Sequence, residues 1–253
     1  MKEIIAVINQ KGGVGKTTTT LAIGAGLSIR GFKVLYIDLD AQANLSGTLK
    51  ADNSGLSIIE VLENKARASE VIQHIPQGDV IPASPALAGA DTFITAVGKE
   101  YRLKEALESV KEIYDYIVID TPPALGVLTI NALTACTSAI IPSQADTYSL
   151  QGISQLYTTI DTVRKYCNHT LEIKGILLTR YSSRAILSRD IADVIEKTAR
   201  KLNTKLFKTA IRENIAIKEA QANQQDIFSY APKSNAAIDY AKFIDEILDS
   251  ERK

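Results

Sequence analysis

Short apolar runs recur along the chain, and stretches with apolar residues at helical spacing separate them. The runs cover residues 4–8, 34–37, 80–81, 116–119, 139–141 and 176–178. Because nearly every position in a run is apolar, the runs predict strands covered on both faces, as in a parallel sheet with right-handed crossovers. The pattern therefore predicts an α/β fold in which one doubly wound, mainly parallel sheet carries helices on both faces. The length of 253 residues suits a single domain spanning residues 1–253.

Polar residues come directly after three of the predicted strands. Asp38 and Asp120 each follow an apolar run, and a Pro-Ser-Gln segment at residues 142–144 follows another. The carboxyl ends of parallel strands meet at one edge of an open α/β sheet, and ligands bind at this edge. We therefore expect these residues to lie near one another at a binding site.

The last predicted helix, residues 235–248, is amphipathic. Its apolar side consists of Ile238, Ala241, Ile244 and Leu248, whereas its other side carries Asp239, Asp245, Glu246 and Asp249. A helix that lies on a membrane surface would carry lysine and arginine on its polar side. The pattern therefore predicts that this helix docks onto the sheet.

Composition adds few constraints. Hydrophobic residues make up 45% of the chain and charged residues 23%, as in ordinary soluble proteins. No apolar stretch approaches the roughly 20 residues that a transmembrane helix needs, which predicts a cytoplasmic protein without a membrane span. Cys136 and Cys167 lie far apart, and the chain has two histidines. This usage argues against a cysteine–histidine metal site and predicts reduced thiols.

The distribution of charge says more than its total. The formal net charge is zero, yet residues 164–218 contain 13 Lys/Arg and 5 Asp/Glu, an excess of eight positive charges. A nucleic-acid backbone would require such a positive face. Helices with a solvated lysine-rich side would give the same count.

The densest motif is the decapeptide Asn-Gln-Lys-Gly-Gly-Val-Gly-Lys-Thr-Thr at residues 9–18, between the first apolar run and a helical stretch. Its glycines allow backbone N–H groups to surround nucleotide phosphates at the positive end of a helix. Lys16 adds a charge for the phosphates, and Thr17 offers a hydroxyl to Mg²⁺. We expect a nucleotide to contact Lys11, Gly12, Gly13, Val14, Gly15, Lys16, Thr17 and Thr18.

Two carboxylates complete the predicted chemistry. An apolar strand that ends on aspartate is the usual partner of a phosphate loop, so Asp120 is expected to hold Mg²⁺ together with Thr17. Asp40, next to the same site, is the candidate for positioning the attacking water and for a place near the metal. Asp38 is expected to organise the loop. Lys11, Lys16 and Asp40 are thus the candidate catalytic residues, with Lys11 on the outer side of the loop and free to serve a neighbouring molecule.

The lysine before the glycines resembles the deviant Walker A motif, K-G-G-x-G-K-[ST], of the ParA/MinD family of ATPases. Residues 38–44 resemble the D-x-D-P-Q-x-N segment of ParA-type partition ATPases, with Ala41 in place of the usual proline, and residues 120–126 resemble their D-x-P-P-x-L-G segment. The similarity extends over almost the whole chain. It is greatest to the short Soj-like branch, because the phosphate loop begins at residue 10.

The resemblance implies an Mg²⁺-dependent ATPase that forms an ATP-dependent homodimer and binds double-stranded DNA without sequence preference. It also implies a ParB-like partner that stimulates hydrolysis, and a cytoplasmic, nucleoid-associated location. In this family the extra lysine, here Lys11, crosses the dimer interface to the other subunit's phosphates. The residues expected around adenine are Thr179, Arg180 and the turn formed by Ile211, Arg212, Glu213 and Asn214. The candidates for DNA contact, taken from the basic segment, are Arg184, Arg189, Arg212 and Lys218.

Two other functions share the same loop. A MinD-like, membrane-cycling cell-division ATPase is disfavoured by the acidic last helix and by the polar tail at residues 250–253, so no stable membrane association is expected. A nucleotide-gated regulator with little turnover is the other alternative, which the alanine at position 41 leaves open.

Overall fold

A seven-stranded sheet forms the centre of the computed structural model, which describes residues 3–52 and 54–250. The last three residues of the predicted polar tail lie outside these ranges. The strands are β1 (Glu3–Val7), β2 (Val34–Asp38), β3 (Gln73–Ile75), β4 (Gly78–Ile81), β5 (Tyr116–Asp120), β6 (Ser138–Ser143) and β7 (Glu172–Leu178), and they lie in the order β3-β4-β2-β5-β1-β6-β7. All neighbouring strands pair in parallel except β3 and β4. The predicted doubly wound, mainly parallel sheet is confirmed.

Twelve α-helices occur in the described part of the chain. They are α1 (Lys16–Ile29), α2 (Asn44–Thr48), α3 (Ile58–Leu62), α4 (Ala68–Val71), α5 (Ala90–Phe93), α6 (Arg102–Leu107), α7 (Val127–Ala135), α8 (Thr147–Tyr166), α9 (Ile186–Lys201), α10 (Ile215–Ala222), α11 (Ile227–Tyr230) and α12 (Asn235–Ser250). No helix in these ranges is both long and apolar enough to cross a membrane.

Alternate side chains of each central strand point to opposite faces of the sheet. Ile4, Ala6 and Ile8 belong to a core that includes residues of α3, α6, α7, α8 and α9. Ile5 and Val7 belong to a second core with residues of α1, α10, α11 and α12. Burial on both faces is the reason that the strands read as continuous apolar runs.

Strand β3 was not predicted. It has only three residues, pairs antiparallel with β4, and is partly exposed, so it lacks the two-sided cover that produces an apolar run. The other strands overlap the predicted runs, although β7 begins at Glu172, well before the run at residues 176–178. Asp38 and Asp120 are the last residues of β2 and β5, and β6 extends through Ser143. Only Gln144 of the Pro-Ser-Gln segment therefore lies beyond its strand.

Helix α12 packs against α1, as expected of a helix that docks onto the sheet. A Cβ at Gly26 of α1 would lie 2.1 Å from Ile244, so this glycine allows the close approach. The predicted facing of α12 is wrong at two positions. Asp239, placed on the outer side, is buried, whereas Ile238 of the predicted inner side is 41% exposed. The buried side of α12 is instead formed mainly by Ala236, Ala237, Tyr240, Phe243 and Ile247. It is therefore rotated about the helix axis relative to the predicted apolar side.

Candidate functional site

The glycine-rich loop joins β1 to the first residue of α1. Gly13 and Gly15 have positive φ angles of 73° and 88°, which glycine adopts without steric cost. No atom lies within 4 Å of a Cβ built at Gly12 or Gly13. This side of the loop is therefore open, and the N-terminus of α1 faces it with the unpaired N–H groups that favour phosphate.

Neighbouring strands hold the loop in place. The Asn9 side chain donates to the Pro142 carbonyl at 2.7 Å and accepts from the Lys11 backbone N–H at 2.9 Å. Gln144 donates to the Gly13 carbonyl, and Thr179 donates to the Val14 carbonyl at 2.8 Å. Thr179, which was expected to contact adenine, thus anchors the phosphate loop. These bonds fix the cradle before any ligand enters it, which reduces the ordering cost of binding.

A cavity of about 540 Å³ opens beside the loop, a size typical of small-molecule sites. Of the residues predicted to bind nucleotide or metal, the ones that line it are Gly12, Gly13, Gly15, Lys16, Thr17, Thr18, Asp40, Thr179, Arg180, Ile211 and Asn214. Glu213 of the turn expected at adenine lines it as well. Residues that the sequence analysis did not single out also line it, namely Asn44, Thr48, Pro123, Ile217, Gln221 and Tyr240. Helical segments distant in sequence supply most of the second group.

Lys16 lies in a cluster with three aspartates, in which Lys16 and Asp40 line the cavity and Asp38 and Asp120 are buried. Lys16 is buried, and its ammonium donates to the Lys11 carbonyl at 3.2 Å. Burial lowers the pKa of Lys16, while Asp120 and Asp40 partly offset this effect. Burial, then repulsion from Asp38, raises the pKa of Asp120 to about 8 despite the bond from Thr17. Burial likewise raises the pKa of Asp38 to about 6. A divalent cation would relieve this concentration of carboxylates.

The residues present fit Mg²⁺ bound together with a nucleotide. The Thr17 hydroxyl donates to the Asp120 carboxylate at 2.6 Å, so the two predicted metal ligands are adjacent. No group of three or more His, Cys, Asp or Glu side chains in the described ranges could hold a metal. Mg²⁺ in such sites takes its remaining ligands from phosphates and water. Thr17 and Asp120 would hold the ion here, and the ion would neutralise charge on the transferred phosphate.

Lys11 is not free, contrary to expectation. Its ammonium forms an ion pair of 2.5 Å with Asp146 at the start of α8, and both side chains are about one-third exposed. Burial alone would raise the pKa of Asp146, but the bonds from Lys11 and Ser149 outweigh burial and lower it. Asp146 caps α8 by accepting from the Ser149 N–H, and this Asp-x-x-Ser helix start was the available sequence signal.

Arg212 is not brought to the cavity. Its guanidinium and backbone N–H bond the buried carboxylate of Asp239 on α12, at 2.7 to 3.1 Å. The residue predicted for both adenine and DNA is therefore occupied within the fold. The neighbouring Arg180 does line the cavity, where it pairs with Glu213 at 2.7 Å. Lys218, predicted to contact DNA, also lines the cavity.

Comparison with known proteins agrees with this geometry. The family model described as AAA domain matches residues 2–173. The sporulation initiation inhibitor protein Soj of Bacillus subtilis is 41% identical over 252 residues, which cover 98% of each chain.

Two solved structures with bound nucleotide analogues have the same fold. The cobyrinic acid a,c-diamide synthase of Mycobacterium smegmatis with bound ATP analog and magnesium is 35% identical, with a TM-score of 0.81 over 98% of this chain and 95% of that one. Its name denotes another activity. A putative plasmid partition protein of Borrelia burgdorferi bound to AMPPNP is 26% identical, with a TM-score of 0.82 over 98% of each chain. The phosphate loop, the adjacent Thr17 and Asp120, and these similarities show that the chain belongs to the ParA/MinD family of partition ATPases, which use ATP and Mg²⁺.

Proposed function

We propose that this ATPase forms an ATP-dependent homodimer that binds double-stranded DNA without sequence preference. A ParB-like partner stimulates hydrolysis, which returns the protein to monomers and releases DNA, so that the cycle drives DNA segregation on the nucleoid in the cytoplasm. The observation that carries the proposal is the position of Lys11, whose ammonium pairs with Asp146 outside the cavity that Lys16 lines. The name of the plasmid partition relative supports a role in DNA segregation.

Dimerisation then exchanges one partner of Lys11 for another. In the single chain, Asp146 neutralises the ammonium. In the dimer, Lys11 reaches the phosphates bound by the other subunit, and Asp146 loses its cation. A partly exposed ion pair contributes only about 0.2–1 kcal/mol. A phosphate group with several negative oxygens is a stronger competitor, so ATP in the partner is sufficient to shift Lys11 across the interface.

Substitutions at Lys11 and Asp146 should therefore act in opposite directions. Lys11→Ala should leave ATP affinity within about threefold, because Lys16 and the backbone cradle remain, but should abolish the ATP-dependent dimer. Asp146→Asn keeps a side chain that caps α8 and should lower the protein concentration for half-dimerisation by about two- to fivefold. Size-exclusion chromatography with ATP over a range of protein concentrations measures both effects.

Asp245→Asn is a matched control, because it breaks the Arg30–Asp245 ion pair between α1 and α12, away from the cavity. It should dimerise like the parent protein. If the Lys11→Ala variant also dimerises like the parent, Lys11 does not act across the interface.

The DNA surface is best placed at Arg184 and Arg189. Both are exposed, Arg184 shortly before α9 and Arg189 in its first turn, and neither forms an ion pair with another described residue. Helix α9 as a whole is nearly balanced, since Asp190, Asp193 and Glu196 accompany its basic residues. The Arg212–Asp239 pair makes Arg212 unsuitable as a DNA probe, because reversing its charge would leave a buried aspartate unpaired.

Arg189→Glu should remove ATP-dependent DNA binding while leaving basal ATP hydrolysis and dimerisation unchanged. A two-fold dimer presents each basic patch twice, so affinity should fall steeply with salt. The milder Arg189→Ala should make the negative slope of log affinity against log salt shallower by about two, because about one phosphate contact is lost in each subunit. Gel shifts on unrelated duplexes at several salt concentrations measure this slope.

Lys104→Glu, an equal charge change at an exposed position of α6, is the control and should retain DNA binding. Equal losses in the two variants would mean that net charge rather than a localised surface governs binding. Flotation with anionic liposomes and ATP tests the membrane-cycling alternative. ATP turnover with and without DNA and a ParB-like partner tests the regulator alternative, which requires turnover to stay low throughout.

A further inference from the structure

The buried carboxylate of Asp38 bonds both ends of the segment that carries Asp40. One oxygen accepts from the Asp40 backbone N–H at 3.1 Å. The other accepts from the backbone N–H of Ser46 at 2.9 Å and from its hydroxyl at 2.7 Å. The seven residues between Asp38 and Ser46 therefore form a loop whose two ends are fixed to one side chain.

The Ser46 hydroxyl also connects this loop to a different strand. It accepts a hydrogen bond of 2.9 Å from the backbone N–H of Ala83, which follows β4. Ser46, Asp38 and Ala83 are all fully buried. One hydroxyl thus uses its donor on the end of β2 and its acceptor on the exit of β4, which fixes α2 against two neighbouring strands.

The residues that this arrangement positions include three that line the cavity. Asp40 lies near one end of the loop, and Asn44 and Thr48 lie on α2 on either side of Ser46. All three line the cavity beside the phosphate loop. Ser46 itself is not among the lining residues, so its influence on a bound nucleotide must pass through its neighbours.

We propose that Ser46 is a positioning residue for ATP hydrolysis, which holds the segment with Asp40 in the geometry needed to orient the attacking water. The inference rests on the proposed role of Asp40. Misplacing a reacting group by about 1 Å can reduce a rate about a hundredfold, whereas nucleotide affinity comes from Lys16 and the loop backbone. Loss of the Ser46 hydroxyl therefore slows hydrolysis and leaves ATP affinity almost unchanged.

The test uses three substitutions in the full-length protein with Mg²⁺ and saturating ATP. Ser46→Ala removes the hydroxyl and should lower kcat about tenfold or more, with ATP affinity within about twofold. Ser46→Cys keeps the size with a weaker hydrogen-bonding group and should be intermediate. Ser46→Thr keeps the hydroxyl and should retain most of the parent's turnover. If Ser46→Ala does not fold, the difference between Thr and Cys carries the test.

Ser57→Ala is a matched structural control. Ser57 is also buried, and its hydroxyl bonds Glu60 in the cap of α3, away from the cavity. It should lower Tm by as much as Ser46→Ala without reducing kcat. Equal kcat in Ser46→Ala and the parent, or equal loss in Ser46→Ala and Ser57→Ala, would overturn the inference.

An Asp40→Ala variant in the same assay separates the inference from the function on which it rests. Full turnover in Asp40→Ala would refute the role of Asp40. Slow turnover in Asp40→Ala together with normal turnover in Ser46→Ala would refute the role of Ser46 alone.

Discussion

Lys16→Ala is expected to weaken ATP binding by about a hundredfold or more. The lysine is buried on the cavity wall, and charge-assisted hydrogen bonds to a ligand contribute about 1.5–3 kcal/mol each. Its removal also leaves the carboxylates of Asp40 and Asp120 with no lysine charge to offset theirs. The carboxylates would then repel the phosphates. Titration with a fluorescent ATP analogue in Mg²⁺ measures the affinity directly.

Two further variants make this result specific. Lys16→Met keeps much of the side-chain length without the charge and should lose affinity to a similar extent. Lys33→Ala removes an exposed lysine from the start of β2, at the opposite end of the strand from Asp38, and should bind ATP like the parent. Normal ATP affinity in Lys16→Ala would contradict the assignment of the phosphate loop.

The features of the fold that could be predicted are those that depend on residues close together in the sequence. Strands covered on both faces appear as apolar runs, and the phosphate loop is a contiguous motif between β1 and α1. The parallel sheet then places Asp38 of β2 directly beside Asp120 of β5, in register. Their common place at one edge of the sheet was expected from their positions at strand ends, whereas the order of the strands and this register were not predicted.

The partners of individual charged side chains could not be predicted in the same way. Lys11 and Asp146 are 135 residues apart, and Arg212 and Asp239 lie on separate elements. Whether an arginine faces DNA or a buried aspartate depends on how α12 rotates against the sheet. That rotation depends on packing of Phe243 and Ile244, among other side chains, which a helical periodicity specifies only to within about one position.

The hydrogen-bond partners of the Ser46 hydroxyl could not be predicted from the sequence either. It lies eight residues after Asp38 and has no motif of its own in a helix of five residues. The link that Ser46 makes between strands depends on the fold, in which the Ala83 N–H after β4 donates to the Ser46 hydroxyl. The aspartates beside Lys16 and the hydrogen-bonded loop at residues 38–46 are therefore one unit, in which Asp38 is buried and bonds the loop and Asp40 lines the cavity.

Asp40→Ala should reduce ATP hydrolysis about a hundredfold or more, because a positioned carboxylate that orients or deprotonates the nucleophile typically contributes about 10²–10⁴. The side chain lines the cavity and accepts the Gln42 N–H at 3.0 Å, while the phosphate loop and the Thr17–Asp120 pair remain intact. ATP and Mg²⁺ should therefore bind with affinity within about threefold of the parent. Single-turnover hydrolysis, measured beside ATP affinity, separates the two quantities.

A slow variant that still binds ATP should remain as an ATP-bound dimer, since hydrolysis is the step that ends the proposed dimeric state. Asp40→Asn, which keeps the acceptor oxygen for Gln42 but removes the charge, distinguishes loop geometry from water activation and should be nearly as slow as Asp40→Ala. Asp52→Ala, at an exposed loop position after α2, should hydrolyse ATP normally. Turnover of Asp40→Ala at the parent rate would exclude Asp40 as the group that positions water, and the Lys16 and Lys11 assignments would stand independently.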